Sequence, residues 1–295
     1  MNRIFFHGAN VDDADREDWL RRNGHVGKPL RAISTALLLD RRLSFERFGR
    51  SRGGGVVTLS VAPGHAVEGV VFEVEDEALA LLDMKQGHPD AYLREAAHAV
   101  MPNGATCEAW IYDVPPSRRQ GHVPPTRTYL DLIRRGLAAH GLGMAAMEAA
   151  ASDRPARPAV PWLFVYGTLQ SEQANASLLA GLTRHPARTR GVLHDLGPYP
   201  VMRLGDGEVH GEIVPLDPAR LAALDALEQA LPFGAPGGAY RRTVLEVRLS
   251  DGSRTRAQAY VSDAECEAPV IASGDWCALG NRRPAWEIHA ARQRG

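Results

Sequence analysis

A chain of 295 residues, 44% hydrophobic and 23% charged, has the composition of a soluble globular protein with one large or two ordinary domains. Its net charge of −1 gives no basic surplus for nucleic acid and no acidic run for a solvated tail. No stretch approaches the roughly 18 apolar residues of a membrane span. The three cysteines, Cys107, Cys266 and Cys277, form no C-x-x-C pair, so neither a disulfide framework nor a zinc site is expected. Met1 to Asn10 lacks the apolar core of a signal peptide. The expectation is a reduced, cytoplasmic protein.

In chain order, Ile4 to Phe6 is a short apolar run ending at His7-Gly8-Ala9-Asn10, a polar segment suited to starting a helix. Gly53-Gly54-Gly55 lacks the Lys and Ser/Thr of a phosphate-binding loop and reads as a tight turn. Val67 to Val74 predicts a strand, Asp76 to Met84 a helix and Asn103-Gly104 a hairpin turn. Residues 144–161 read MAAMEAAASDRPARPAVP, and Pro155, Pro158 and Pro161 forbid a continuous helix there. Residues 144–160 are therefore expected to link modules at 1–143 and 161–295. Beyond the linker, Leu163 to Val165 runs into Tyr166-Gly167-Thr168-Leu169. Val209 to Leu216 predicts a strand. Asp217 to Gln229 predicts a helix, with Leu221, Leu224 and Leu227 at helical spacing and Pro218 in the first turn. Ala230 to Ala239 is rich in Pro and Gly and reads as a loop. Thr243 to Leu249 and Arg256 to Val261 flank an Asp251-Gly252 hairpin signal.

The two halves repeat each other. Val67-Glu68-Gly69-Val70-Val71 matches Val209-His210-Gly211-Glu212-Ile213, and Leu82-Asp83 matches Leu224-Asp225, all 142 residues apart. The offset becomes 148 for Tyr92 and Tyr240, Gly104 and Gly252, and Tyr112 and Tyr260. Two constant registers separated by one insertion indicate a duplicated module.

These residues resemble the gamma-glutamylcyclotransferase superfamily. The second half is similar to its gamma-glutamylamine cyclotransferase, AIG2-like branch through Tyr166 to Leu169, Gly191-Val192-Leu193, Tyr199-Pro200, Gly211-Glu212, Leu224-Asp225-x-x-Glu228, Tyr240-Arg241-Arg242 and Gly274-Asp275-Trp276. The first half is similar to larger bacterial members through Phe6 to Asn10, Gly53 to Gly55, Leu82-Asp83 and Pro125-Thr126-x-x-Tyr129-Leu130. It departs from them twice. His7 stands where the loop has Tyr, and Gln86 occupies the position of Glu228. The resemblance implies an α+β fold, with each tandem module a mixed closed β-barrel flanked by helices. It places a pocket between the first loop and the helix carrying Glu228.

Family members release 5-oxoproline and an amine from a gamma-glutamyl amide, so the resemblance implies the same reaction here. The substrate's own α-amine is the nucleophile. No Ser, Cys, metal or cofactor is then required, and the protein must hold a folded-back conformer and move protons. An isolated helical Glu is ordinarily a solvated charge, but the motif makes Glu228 the candidate acid–base. Desolvation would raise its pKa from the unperturbed value of about 4.3. The amides of Gly167, Thr168 and Leu169, at the expected start of a helix, are candidates for holding a carboxylate or oxyanion. Tyr166, Tyr199 and Tyr240 are expected to line the pocket, and Ala230 to Ala239 to lie at its mouth. Arg241 and Arg242 are expected to face solvent at least in part, with carboxylate pairing of one of them as the alternative. His7, Gly8, Ala9, Asn10 and Gln86 form a degenerate counterpart without activity, and Glu95 is expected to be an exposed strand residue rather than a substitute base. A non-catalytic binding module, a hydrolase and a transferase remain alternatives. The expected partner is a small gamma-glutamyl compound rather than nucleic acid or membrane. The leaving amine and the oligomeric state stay open.

Overall fold

The computed structural model describes residues 1–27 and 30–279. The first module contains β1 (Asn2–Phe6), α1 (Asp13–Arg22), β2 (Arg31–Gly49), β3 (Gly54–Val74), α2 (Asp76–Gln86), β4 (Leu93–Val100), β5 (Thr106–Asp113), α3 (Arg127–Ala138) and α4 (Ala145–Ala151). The second contains β6 (Trp162–Val165), β7 (His185–Asp195), β8 (Pro200–Pro215), α5 (Pro218–Glu228), β9 (Arg241–Leu249) and β10 (Arg254–Val261). Each set of strands closes into a barrel, in the order β1-β3-β2-β4-β5 and, strand for strand, β6-β8-β7-β9-β10. Both barrels are mixed. The first and last strands run parallel, with Ile4 opposite Trp110 and Trp162 opposite Ala257. The fold class is thus two tandem α+β modules, each a mixed closed barrel with flanking helix. No helix among the described residues is long and apolar enough to cross a membrane.

The repeated glycines explain why both barrels form in the same way. Gly69 and Gly211 lie where the third strand of each barrel crosses the first. A Cβ on Gly69 would stand 2.4 Å from the Phe6 carbonyl oxygen, and one on Gly211 would stand 2.2 Å from that of Val165. Only hydrogen fits at these crossings. Beside them, Phe5 lies opposite Val71 and Phe164 opposite Ile213 in the same register. Phe5 and Phe164 are buried in the two cores. Gly54 and Gly55 lie against the backbone of residues 123–126, and Gly53 takes a φ of +65° in the turn before them. They make a tight turn and a close packing contact.

Helices α2 and α5 each have eleven residues and occupy equivalent positions. Asp217 caps α5 by accepting from the Ala219 amide, and Pro218 occupies its first turn. Leu221, Leu224 and Glu228 are its buried residues. The spacing i, i+3, i+7 places all three on one inward face, so Glu228 sits where the pattern would put an apolar side chain. Gln229 then turns left-handed at φ +50°, as Gly87 does at φ +64° after α2.

Three expectations need correction. The segment expected to be a linker at 144–160 begins as α4, whose Met147 and Ala150 are buried in the first module's core. Alanine favours helix strongly, and the prolines act only from 155 onward. The described chain divides into two compact units at residue 160, the turn at 103–106 grouping with the second. The loop at Tyr166 does not open an α-helix; it forms tight turns leading to a 3-10 helix at Ala176–Leu179. Arg241 and Arg242 are not solvated. They are 3% and 1% exposed, because each has a carboxylate within reach. The tail motif is described as far as Trp276, which is buried in the second core. Residues 280–295 of the second expected module lie outside the described residues.

Candidate active site

Strand β6 ends at Val165, and the chain leaves the barrel through Tyr166. Tyr166 is 7% exposed, and its hydroxyl donates to the Tyr260 carbonyl at 2.8 Å. The next turn is held by Gln170 N donating to the Gly167 carbonyl at 3.0 Å. Asn175 holds Thr168 twice, with its amide on the Thr168 carbonyl and its side-chain nitrogen on Oγ1 at 2.9 Å. A Cβ on Gly167 would press on the Pro200 ring at 2.7 Å.

Residues Tyr166, Gly167, Thr168, Leu169, Tyr199, Glu228 and Tyr240 all line one cavity, together with Pro200 and Tyr260. Glu228 is 9% exposed and, among the described residues, is the only carboxyl in its walls. Tyr240 donates to the Pro200 carbonyl at 3.2 Å. The Tyr166 hydroxyl is held well above the usual tyrosine range by burial first, then by Tyr240 and Glu228. None of residues 230–239 lines this cavity, although the loop joins two residues that do. The cavity is small, about 30 Å³.

Sequence reasoning missed the support beneath it. One helical turn before Glu228, Asp225 accepts from the Tyr260 hydroxyl at 2.7 Å and pairs with Arg242 Nε at 2.8 Å. Arg242 also donates to Gln258. The first module has the same arrangement. Asp83 accepts from Tyr112 at 2.7 Å and pairs with Arg94 at 2.5 Å. The signal was present, since Asp83 and Asp225 share the 142-residue register and Tyr112 and Tyr260 the 148-residue one. Tyr112 and Tyr260 are both raised far above ordinary tyrosine, by burial first and then by the neighbouring aspartate.

The counterpart in the first module differs in size and charge. His7, Gly8, Ala9, Asn10 and Gln86 line one cavity of about 860 Å³, with Asp15, Arg52, Lys85, Tyr92 and Tyr129. Arg52 grips Asp15 with two hydrogen bonds, at 2.8 and 2.7 Å. Lys85 reaches Asp15 at 2.7 Å and Asn10 Oδ1 at 2.9 Å. Burial works to raise the Asp15 carboxyl, but Arg52 and Lys85 together hold it below its ordinary value. Burial lowers the Lys85 ammonium. Glu95 is exposed on β4, away from this cavity.

His7 takes the place of Tyr166 but has no hydroxyl to cross the barrel. Its ring stacks on Phe5, and among the described residues Nδ1 has no hydrogen-bond partner. Burial pulls its pKa from 6.5 to about 4. The unfolded chain therefore takes up a proton below about pH 6.5, whereas folded His7 does so only near pH 4. No cost arises above pH 6.5, and stability falls as the pH drops through that window, by up to about 3 kcal/mol. His7→Leu is expected to make melting temperature less steep between pH 6.5 and 4. Burial also lowers His65 and His140, and the depressed carboxyls of Asp15 and Glu212 add to the slope at its acid end. An unaltered slope in the variant would remove His7 from this account.

Residues 5–131 and 163–278 match the family described as gamma-glutamyl cyclotransferase, AIG2-like, and these two stretches make up most of the chain. The chain belongs to this family. The gamma-glutamylcyclotransferase family protein YtfP of Escherichia coli K12 is 34% identical over 117 residues, 39% of this chain and 94% of that protein. A family relative from Vibrio cholerae is 34% identical over 119 residues, again 39% of this chain and 94% of its own. A solved structure named "Gamma-glutamyl cyclotransferase" is 21% identical with a TM-score of 0.43, covering 53% of this chain and 88% of that one. The bacterial relatives are thus spanned almost whole by a stretch of about one module's length.

Proposed function

We propose that the second module is a gamma-glutamyl cyclotransferase that releases 5-oxoproline and an amine from a gamma-glutamyl amide. The observation that carries this reading is a buried carboxyl, Glu228, in the same cavity as the Tyr166–Leu169 loop. The α-ammonium of the substrate gives a proton to the Glu228 carboxylate. The freed amine attacks the γ-carbonyl carbon, the new C–N bond closes the lactam, and the old C–N bond breaks. Glu228 returns that proton to the leaving nitrogen, and its regenerated carboxylate passes the second proton of the attacking nitrogen to the released amine, which departs as ammonium. The loop backbone faces the cavity, where its amides can hold a substrate carboxylate or the oxyanion. Asp225, through Tyr260, positions one wall.

A cavity of about 30 Å³ must widen to admit a gamma-glutamyl group. The turn between β7 and β8 is one of the walls outside the sheet. It carries half-buried Tyr199 and has Gly197 at φ +83°. The small size of the cavity is the observation that favours a second reading, an inert binding module.

The deciding experiment incubates the protein with a panel of gamma-glutamyl amines and dipeptides and identifies the products. Release of 5-oxoproline supports cyclisation. Free glutamate would establish a hydrolase, a new gamma-glutamyl amide a transferase, and no turnover across the panel the inert module. We also place the reaction in the second module alone. Gln86→Glu, made in a chain that also carries Glu228→Gln, is expected to stay inactive, because His7 cannot supply the hydroxyl of Tyr166 and Lys85 stands beside the new carboxyl. Turnover in that double variant would show the first site still competent.

A further inference from the structure

The first module's cavity has lost the carboxyl but has not closed. It is about 860 Å³, within the range of small-molecule sites, against about 30 Å³ in the second module. Its charge has also reversed. Among its lining residues Asp15 is the one carboxylate, against Arg47, Arg50, Arg52 and Lys85, with Arg22 at the rim paired to Asp18. Asp15 is shared by Arg52 and Lys85, which leaves that buried trio with an excess positive charge. Arg47 reaches the Ala91 carbonyl and lies over the Tyr92 ring at 5.3 Å, so its guanidinium is fixed in place without an acidic partner among its recorded bonds.

A cationic surface patch would be ordinary. Here the positive charge lies in a concave site, which buried His7 also lines with its ring stacked on Phe5. Gln86 fits the same account. A glutamate at this position would face any incoming anion, whereas an amide keeps its shape and donates a hydrogen bond without that repulsion.

We infer that the first module is a binding site for a small organic or inorganic polyanion carrying two or more carboxylate or phosphate groups. Arg47 and Arg52 hold the anionic groups, and Lys85 supplies further positive charge. Charge-assisted bonds to guanidinium groups suit carboxylate and phosphate alike. The site stands whether or not the second module is an enzyme, because its test reads binding and not turnover.

The test is calorimetric titration of the full chain with citrate and, separately, with pyrophosphate. One saturable site per chain is expected for at least one of them. Citrate alone would identify carboxylates as the favoured groups, and pyrophosphate alone phosphates. Affinity is expected to fall about tenfold or more in Arg47→Gln, Arg52→Gln and Gln86→Glu, and in about 0.5 M salt, while Glu228→Gln binds like the parent. Arg52→Gln removes one of two partners of buried Asp15, so each variant's melting curve is recorded. If that variant fails to fold, Arg47→Gln and Gln86→Glu carry the test. Two results would overturn the inference: no saturation by either anion up to about 10 mM, or binding that is indifferent to all the folded first-module variants.

Discussion

Glu228→Gln is expected to reduce kcat for 5-oxoproline release by about a hundred- to ten-thousand-fold, with substrate affinity nearly unchanged. The range is what a positioned general acid–base contributes, roughly 3–5 kcal/mol of the barrel module's activation free energy. Glutamine has the size of glutamate and keeps a hydrogen-bonding end, so the packing on the inner face of α5 beside Leu221 and Leu224 is preserved. What it lacks is a proton that can leave and return. The measurement is a Michaelis curve for each protein with the preferred substrate, with direct binding of an unreactive analogue. A variant that keeps parental kcat would end the acid–base assignment. A variant with unchanged kcat and raised KM would instead make Glu228 a binding residue.

Gly211→Val is expected to cost the second module about 3 kcal/mol, lowering its melting transition by roughly 10 °C. The Cβ alone would meet the Val165 carbonyl oxygen at 2.2 Å and the Phe164 ring at 2.8 Å. The carbonyl belongs to a strand paired through Val165 opposite Glu212, so it cannot retreat without opening the β6–β8 ladder. Gly69→Val should do the same to the first module, where the obstacle is Phe6. Gly143→Ala is the control, since nothing lies within 4 Å of a Cβ there. Parental melting of Gly211→Val would mean that the crossing is looser than the contact distances require.

Much of this architecture could be read from the sequence because its constraints are local or periodic. Gly69 and Gly211 kept their register because their strand crossings tolerate no side chain. The α5 helix was legible from its leucine spacing and from Pro218. The seven residues expected to meet in the second module do line one cavity, because the matched motifs fall on the ends of β6, β8, α5 and β9. The first-module cation cluster was not legible. Asp15, Arg52 and Lys85 lie far apart in sequence, and only barrel closure brings them together. The burial of Arg241 and Arg242 was also hidden. An arginine pair reads as solvated unless its carboxylates are known, and Asp225 and Asp263 sit on other elements. The α4 helix was missed because three prolines outweighed the alanines that precede them.

Closure by a parallel pair of first and last strands has a consequence for synthesis on the ribosome. β1 emerges before the other strands of its barrel, yet its partner in closure is β5, and Ile4 must wait for Trp110. β6 must wait for β10 in the same way, with Trp162 opposite Ala257. Until then each nascent sheet has an open flank able to pair with another chain. Long-range pairing of this kind slows folding, and the interval is set by translation as well as by the chain itself. The first barrel has all of its strands once residue 113 has emerged, before any strand of the second has been made. The two modules are thus vulnerable in turn, and a nascent chain arrested between Val165 and Arg254 should carry one closed barrel and one open sheet. Limited proteolysis of such arrested chains would reveal the order.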